Sequence, residues 1–184
     1  MLKLGLGVVL AAVAMFMWGF VYWALGIVDG FAHMTPQAET AISQTLKANL
    51  TADGTYMVPD LNNGSAEDVG ARMGVGPFAQ IYHQSAGALM GDPAVLLKGF
   101  VHMLITAALL AFTLRMIAPS TPEYLDRLTV MALVGFTAAF FMHLGDPIWW
   151  HHDWLNAFVL FFYDFVAYVL AGAVLAYFIA PQKA

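Results

Sequence analysis

The sequence predicts an all-α membrane protein built as a four-transmembrane-helix bundle, and three observations support this fold class. Of the 184 residues, 61% are hydrophobic and only 10% are charged, and the mean hydropathy is +0.73. Such values lie far outside the range of soluble domains. Four apolar runs are long enough to cross about 30 Å of hydrocarbon. Between the first and second runs the composition turns polar, which predicts a single membrane domain with one large loop.

The first predicted span covers residues 4–28, where late aromatic residues follow a long apolar run. A cleavable signal ending at Ala12–Ala14 is the alternative. We reject it because cleavage there would leave an exposed apolar N-terminus. Small residues recur every seventh position, which predicts a seam for close helix packing. These residues are Gly5, Ala12, Gly19 and Gly26.

Residues 29–94 are polar and acidic, and they predict a small periplasmic cap. Thr35-Pro36 followed by Glu39 is typical of a helix start, so we expect an amphipathic helix over residues 36–50. Two short segments are β-prone and are expected to pair as a β-hairpin: residues 55–58 and 78–82. The cap is expected to cover the mouth of the bundle. Its apolar side chains Ile42, Leu46, Tyr56 and Phe78 would then be buried.

The remaining spans are predicted over residues 95–117, 128–144 and 155–179. The second span has a polar stripe that should face other helices. The third has a small-residue face for tight packing. The stripe consists of Lys98, His102, Thr106 and Thr113, and the small face of Ala132, Gly135, Ala139 and His143.

Basic residues flanking the spans predict the orientation. Lys3, Arg115, Arg127 and Lys183 would lie on the cytoplasmic side if both termini are cytoplasmic. The cap and the Trp- and His-rich loop of residues 145–154 are then periplasmic. We therefore expect a bacterial inner-membrane protein.

Under this topology all six histidines lie at or above the outer membrane face. His102 and His143 are expected at similar depth, where they would share a transition metal, bracket a b-type haem or bind a quinone. A further ligand would come from the adjoining loop. Interfacial anchoring is the competing explanation for these side chains. The candidate ligands are His102, His143, Asp146, His151, His152 and Asp153.

A second candidate site lies deeper, where Asp164 falls inside the fourth apolar run. A lone carboxylate in hydrocarbon is costly, so Asp164 should be hydrogen-bonded, with Trp18 or Tyr22 of the first span as the expected donor. The layer at this depth consists of Trp18, Tyr22, Thr106, Thr137 and Asp164. Its role is either proton handling, ligand anchoring or helix packing.

Four segments carry a resemblance to known proteins: FMWGFVYWALG, GTYMVPD, GPFAQIYHQS and YDFVAYVLAGAVLAY. Through them the chain resembles a loose group of uncharacterised small bacterial four-span inner-membrane proteins with a periplasmic segment after the first helix. The resemblance implies architecture, and it implies no catalytic residues.

The sequence favours a non-catalytic accessory or ligand-holding subunit of a larger membrane assembly. The absence of cysteine excludes thiol chemistry, and no hydrolase or phosphate-binding motif is found. A metal- or haem-binding redox protein is one alternative, and a carrier of a small apolar molecule is another. Expected partners are the lipid bilayer and other membrane subunits or further copies of the chain. The net charge of −5 argues against nucleic acid.

Overall fold

The computed structural model describes residues 2–25, 29–89 and 91–179. The chain divides into two compact units. One contains the residues up to Phe31 and those from Gly91 onward, and the other contains residues 32–90. The first unit holds the long helices, and the second holds short elements.

Within its described residues, the first unit contains four helices that are long and apolar enough to cross a membrane, as the four apolar runs predict. Helix α1 continues as one π-helical turn, Phe20–Ala24, and α4 continues as a short 3-10 turn, Ala118–Ser120. A short helix, α6, precedes the last span. The bounds are Leu2–Gly19 for α1, Pro93–Ile117 for α4, Tyr124–His143 for α5, Asp146–Trp149 for α6 and Trp154–Phe178 for α7.

Helix α7 is the centre of this unit, because it packs against both α5 and α1. Helix α4 packs mainly against α1 and makes a smaller contact with α7. The core between the helices consists mostly of alanine and leucine, with Leu114, Met131 and Leu175 as its largest fully buried side chains. The order of neighbours is therefore α5, α7, α1 and α4.

The α5–α7 interface is close because glycines face large side chains across it. A Cβ atom added at Gly135 would lie 2.3 Å from Cβ of Tyr168, and one added at Gly172 would lie 2.5 Å from Cβ of Met131. Helix backbones approach this closely only where one partner has no side chain. The small-residue face predicted for the third span is therefore an interface, and Gly135 and Ala139 are buried in it.

The predicted seam of α1 is found in part. Ala12 is buried and Gly19 allows a close approach by the Tyr163 hydroxyl, whereas Gly5 is exposed. Gly26 lies outside the described residues. The helix also buries Gly7, Ala11 and Met15, because both α7 and α4 pack against it and its buried surface is wider than one seam.

The polar stripe of α4 was predicted to face other helices, and it turns away from the other helices of this chain. Lys98, His102 and Thr113 are exposed, and only Thr106 is half-buried. The buried residues of α4 are Ala107, Leu110, Ala111 and Leu114. The small and aliphatic face of α4 packs against α1 because it allows a close fit. The polar face therefore points away from the bundle.

The unit of residues 32–90 contains helix α2 (Pro36–Asn49), strand β1 (Gly54–Val58), helix α3 (Ala66–Val75) and strand β2 (Ala79–His83). The two strands pair antiparallel with Tyr56 opposite Ile81, which confirms the predicted hairpin pairing. Thr35 caps α2 by accepting a hydrogen bond from the Ala38 amide, as the Thr-Pro start predicts.

Helix α3 was not predicted from the sequence. Ser65 and Asp68 form a reciprocal capping box at its start. The hydrogen bonds from the Ser65 side chain and amide hold the pKa of Asp68 below its usual range. This start signal stands in a glycine-rich segment, where a helix of ten residues is marginal on its own.

Asp53, which precedes β1, bonds to the segment that follows β2. Its carboxylate accepts a hydrogen bond from the Ser85 amide at 2.7 Å, and this bond holds the pKa of Asp53 below its usual range. Helix α2, by contrast, contributes no buried residue, and Ile42 is 48% exposed. The predicted burial of Ile42 in α2 is therefore wrong, because α2 packs no apolar face into this small unit.

Candidate functional site

Two side chains of the first span bond to the backbone of α7. The Trp18 indole donates to the Tyr163 carbonyl at 3.0 Å, and the Tyr22 hydroxyl donates to the Val159 carbonyl at 2.9 Å. Tyr22 lies in the π-helical turn and is buried. The two acceptors are four residues apart, so they lie on one face of α7. These bonds fix α1 against α7 at two successive turns.

Aromatic rings surround these two hydrogen bonds. The Tyr22 ring lies 5.1 Å from that of Trp18, 5.0 Å from that of Trp23 and 5.3 Å from that of Tyr163, between centroids. Ring pairs at such separations add to the stability that burial provides. The α1–α7 contact is therefore rigid at this depth.

The candidate site is a hydrogen-bonded pair between α5 and α7. Nε2 of His143 lies 2.6 Å from Oδ2 of Asp164. The His143 side chain is 14% exposed and that of Asp164 is 29% exposed. His143 is the last residue of α5, whereas Asp164 lies ten residues after the start of α7, about 15 Å along the helix. The pair therefore joins the end of α5 to a point about 15 Å along α7.

The pair gives the Asp164 carboxyl group a polar partner inside an apolar helix. Burying a polar group with a hydrogen-bond partner costs far less than burying it alone. Nδ1 of His143 does not take part in the bond and is the atom left for another ligand.

The prediction that Asp164 bonds to the first helix is wrong. Trp18 and Tyr22 do face α7, but they donate to its backbone, and Asp164 bonds to α5. Successive residues on a helix point about 100° apart, so Asp164 turns toward α5 when Tyr163 faces α1. Asp164 does face a neighbouring helix, as predicted.

The threonines of the predicted layer contribute nothing to the pair. The Thr106 hydroxyl donates to the carbonyl of His102 in its own helix, at 3.0 Å. Thr137 is exposed on α5. A hydroxyl bonded back to its own helix satisfies itself and needs no partner. The predicted five-residue layer is therefore two separate arrangements, one at α1–α7 and one at α5–α7.

The loop before α7 brings two of its predicted ligands near each other. Nδ1 of His152 lies 3.6 Å from Oδ2 of Asp146. Asp153 instead caps α7, since its carboxylate accepts a hydrogen bond from the Asn156 amide at 2.9 Å. His151 has a left-handed backbone, with φ of 56°. Within residues 2–25, 29–89 and 91–179, no three His, Asp or Glu side chains are grouped closely enough to hold a metal ion.

His102 and His143 were predicted to approach one another, and the structure gives His143 a different partner. His143 bonds to Asp164, whereas His102 is exposed on α4. Helix α4 packs mainly against α1, and α5 packs mainly against α7. The two histidines therefore belong to opposite ends of the row of helices.

Arg127 is a buried polar residue that the sequence reading missed. Its side chain is 5% exposed, and its Nε donates to the Ala176 carbonyl at 3.1 Å. One terminal nitrogen also donates to the carbonyls of Thr121 and Pro122, at 2.9 and 2.7 Å. A cation at the C-terminal end of α7 is favoured by the helix dipole. Its position in the first turn of α5 could have predicted this contact, because the end of α7 lies beside the start of α5 when the two helices are antiparallel.

No protein-family model, curated protein or solved structure matches this chain in the comparisons with known proteins.

Proposed function

We propose that the protein is a non-catalytic accessory subunit of a larger assembly in a bacterial inner membrane, and that another membrane helix covers α4. The observation behind this proposal is the outward polar stripe of α4. Lys98, His102 and Thr113 are exposed, and Leu109 on the same side is 64% exposed. A polar stripe of this kind is expected to face protein rather than lipid.

Depth makes His102 the residue that most needs a partner. It lies nine residues after the start of α4, about 14 Å along the helix. Lys98 is nearer the end and has a long side chain that reaches the interface, but an imidazole at the depth of His102 does not. Among the described residues no side-chain partner is found for His102. A lipid environment would leave its ring nitrogens without hydrogen bonds.

The chemistry of the stripe specifies the partner. A covering helix should place a carboxylate, amide or hydroxyl opposite His102, because hydrogen bonds between helices replace the lost contact with water. Ile105 and Leu109 are exposed and apolar, so this side of α4 suits a helix with aliphatic side chains. A second copy of this chain and a different subunit are both compatible with this chemistry, and the mass of the complex distinguishes them.

The basic residues near the helix ends indicate how the chain is oriented in the membrane. Lys3 and Arg115 lie at the same end of the bundle, since Leu4 and Arg115 line one groove. Arg127, in the first turn of α5, is also near a helix end. Basic residues favour the cytoplasmic side, so both termini are placed in the cytoplasm and residues 32–90 in the periplasm.

The test is the mass of the native complex after mild detergent extraction. The wild-type chain should migrate well above its own 20.0 kDa, with detergent accounted for. His102→Leu should release the free chain, because leucine removes the hydrogen bond to the partner. Thr137→Leu, an exposed substitution on α5, is the control and should leave the complex intact. A wild-type chain that is always monomeric, or a His102→Leu variant that is more stable with no loss of mass, would contradict the proposal.

A second candidate is a haem- or metal-binding redox protein, and the His143–Asp164 bond is the observation that favours it. Metal-bound histidines commonly donate their second ring nitrogen to a carboxylate. Asp164 has this position toward His143, and Nδ1 would be the ligand atom. An optical spectrum and elemental analysis of the purified protein test this function. Stoichiometric haem or metal that disappears in His143→Ala would support it, and a colourless, metal-free protein would exclude it.

A further inference from the structure

A groove runs along the bundle between α1 and α4. Its volume is about 730 Å³, and its walls are apolar side chains of both helices, such as Val8, Val9 and Phe112. One ionisable residue, Arg115, lines it. A Cβ atom added at Gly5, also in the wall, would meet nothing within 4 Å. The space beside Gly5 is therefore open and available to a ligand.

The length of the groove fits one leaflet of a bilayer. Its lining on α4 extends from Leu104 to Arg115, which is about 16 Å along the helix axis. The hydrocarbon core is about 30 Å thick, so one leaflet contributes about half of that. The groove thus begins near the bilayer centre and ends at Arg115. An extended acyl chain has this direction and this length.

Arg115 places a positive charge at the head-group end of the groove. It lies on the same end as Leu4, and Lys3 precedes Leu4 in the chain. Arg115 has no ion pair with a described residue. A guanidinium group binds phosphate oxygens in a bidentate manner, and basic residues at the end of a helix pair recruit phospholipid head groups.

Arg115 is a local positive charge in an acidic chain, whose net charge is −5. A groove between α5 and α7, lined by residues such as Leu133, Phe136 and Phe165, has a similar apolar wall but contains no ionisable side chain. Both grooves have walls that suit an acyl chain. Only the α1–α4 groove has a charged residue, Arg115, that would favour an anionic head group over a neutral one.

We propose that the α1–α4 groove is a binding site for one anionic phospholipid, with an acyl chain along Val8 and Val9 and the phosphate at Arg115. The site differs from the polar stripe that carries the proposed function, because none of Lys98, His102 and Thr113 lines the groove.

The test uses the full chain in nanodiscs with a photoreactive acyl chain on phosphatidylglycerol or, separately, on phosphatidylcholine. Labelled peptides are located by mass spectrometry. Phosphatidylglycerol should label the α1–α4 groove more than phosphatidylcholine does, by roughly fivefold, which is the effect expected of one basic side chain at the membrane surface. The α5–α7 groove should show no such preference.

Three variants complete the test. Arg115→Gln should abolish the preference for phosphatidylglycerol while leaving the fold unchanged. Gly5→Leu should reduce labelling by either lipid, because the new side chain fills the open space. Gly99→Leu is the matched control: it adds the same side chain on α4 at another glycine whose Cβ would meet nothing within 4 Å, but outside the groove lining. Equal labelling by both lipids, or a preference that survives Arg115→Gln, would overturn the proposal.

Discussion

At the α5–α7 interface the polar side chains turn inward and find partners, whereas along α4 they turn outward. His143 bonds to Asp164, and Arg127 bonds to one carbonyl of α7 and to two carbonyls of the turn before α5. On α4, Lys98 and His102 are exposed. Both regions have polar residues inside a membrane span. The first pairs its ionisable side chains within the chain, whereas His102 of the second has no side-chain partner among the described residues.

The difference shows which helices satisfy their polar side chains without a partner protein. The α5–α7 hairpin has a glycine-based close approach and internal hydrogen bonds at both ends, as expected of a scaffold. Helix α4 buries a small aliphatic face against α1 and leaves a polar one outside, as expected of a surface that another helix covers. Scaffold and docking surface thus lie at opposite ends of the row of helices.

The largest effect is expected at Gly135. In Gly135→Ala the new methyl group would overlap Tyr168, since the distance from its Cβ is 2.3 Å. We expect a loss of about 3 kcal/mol in the free energy of unfolding, at the upper end of overpacking costs. Reversible unfolding in mixed detergent measures it. Gly99→Ala, which meets no neighbour, should be neutral or stabilising. Equal stability of the two variants would mean that α5 and α7 are not in close contact.

Substitutions of Arg127 test whether the α5–α7 hairpin depends on this buried guanidinium group for its stability. Arg127→Met should lower the free energy of unfolding by ~2 to 3 kcal/mol, because it removes hydrogen bonds from a charged donor to buried carbonyls. Arg127→Lys should be intermediate, because lysine cannot span the carbonyls of Ala176 and Thr121 together. Arg115→Met, an exposed substitution, serves as the control in detergent. If Arg127→Met unfolds like the wild type, the arginine does not hold the end of α7.

A double-mutant cycle tests the His143–Asp164 pair. Asp164→Leu and His143→Leu should each cost ~1 to 3 kcal/mol, because each leaves the other group without its partner. The double variant should cost less than the sum of the two, since no polar group is then left behind. Asp164→Asn should be tolerated because an amide still bonds to imidazole. Additive single effects would show that the two residues do not interact.

The smallest effect is expected in the 32–90 unit, and it depends on pH. Since hydrogen bonding lowers the pKa of Asp53, its contribution to stability is present above the unfolded pKa of about 4 and is lost as the pH falls through the folded value. Hydrogen exchange of the Ser85 region, corrected for intrinsic rates, should show less protection below pH ~4. Asp53→Asn should remove this dependence. A wild-type profile that matches Asp53→Asn would contradict the role of this bond.

The four spans, the α2 start and the strand pairing could be predicted because each depends on local composition or on a local start signal. Partners across helices could not be. Asp164 was recognised as a buried acid, but its partner depends on how α7 is rotated about its axis. Apolar periodicity does not define this rotation, because all faces of α7 are apolar. The same ambiguity reversed the orientation of the α4 stripe. Arg127 looked like a flanking charge because its acceptor on α7, the Ala176 carbonyl, lies 49 residues away.

The central claim is that another membrane helix covers the polar side of α4, and photocrosslinking in the natural membrane tests it most directly. A benzophenone amino acid at Leu109 leaves the polar residues of the stripe intact, and the same group at Phe141 of α5, which is 84% exposed, is the control. We predict one discrete protein adduct from position 109 and lipid adducts from position 141, with the adduct from position 109 lost in His102→Leu. Lipid adducts alone at both positions would contradict the account.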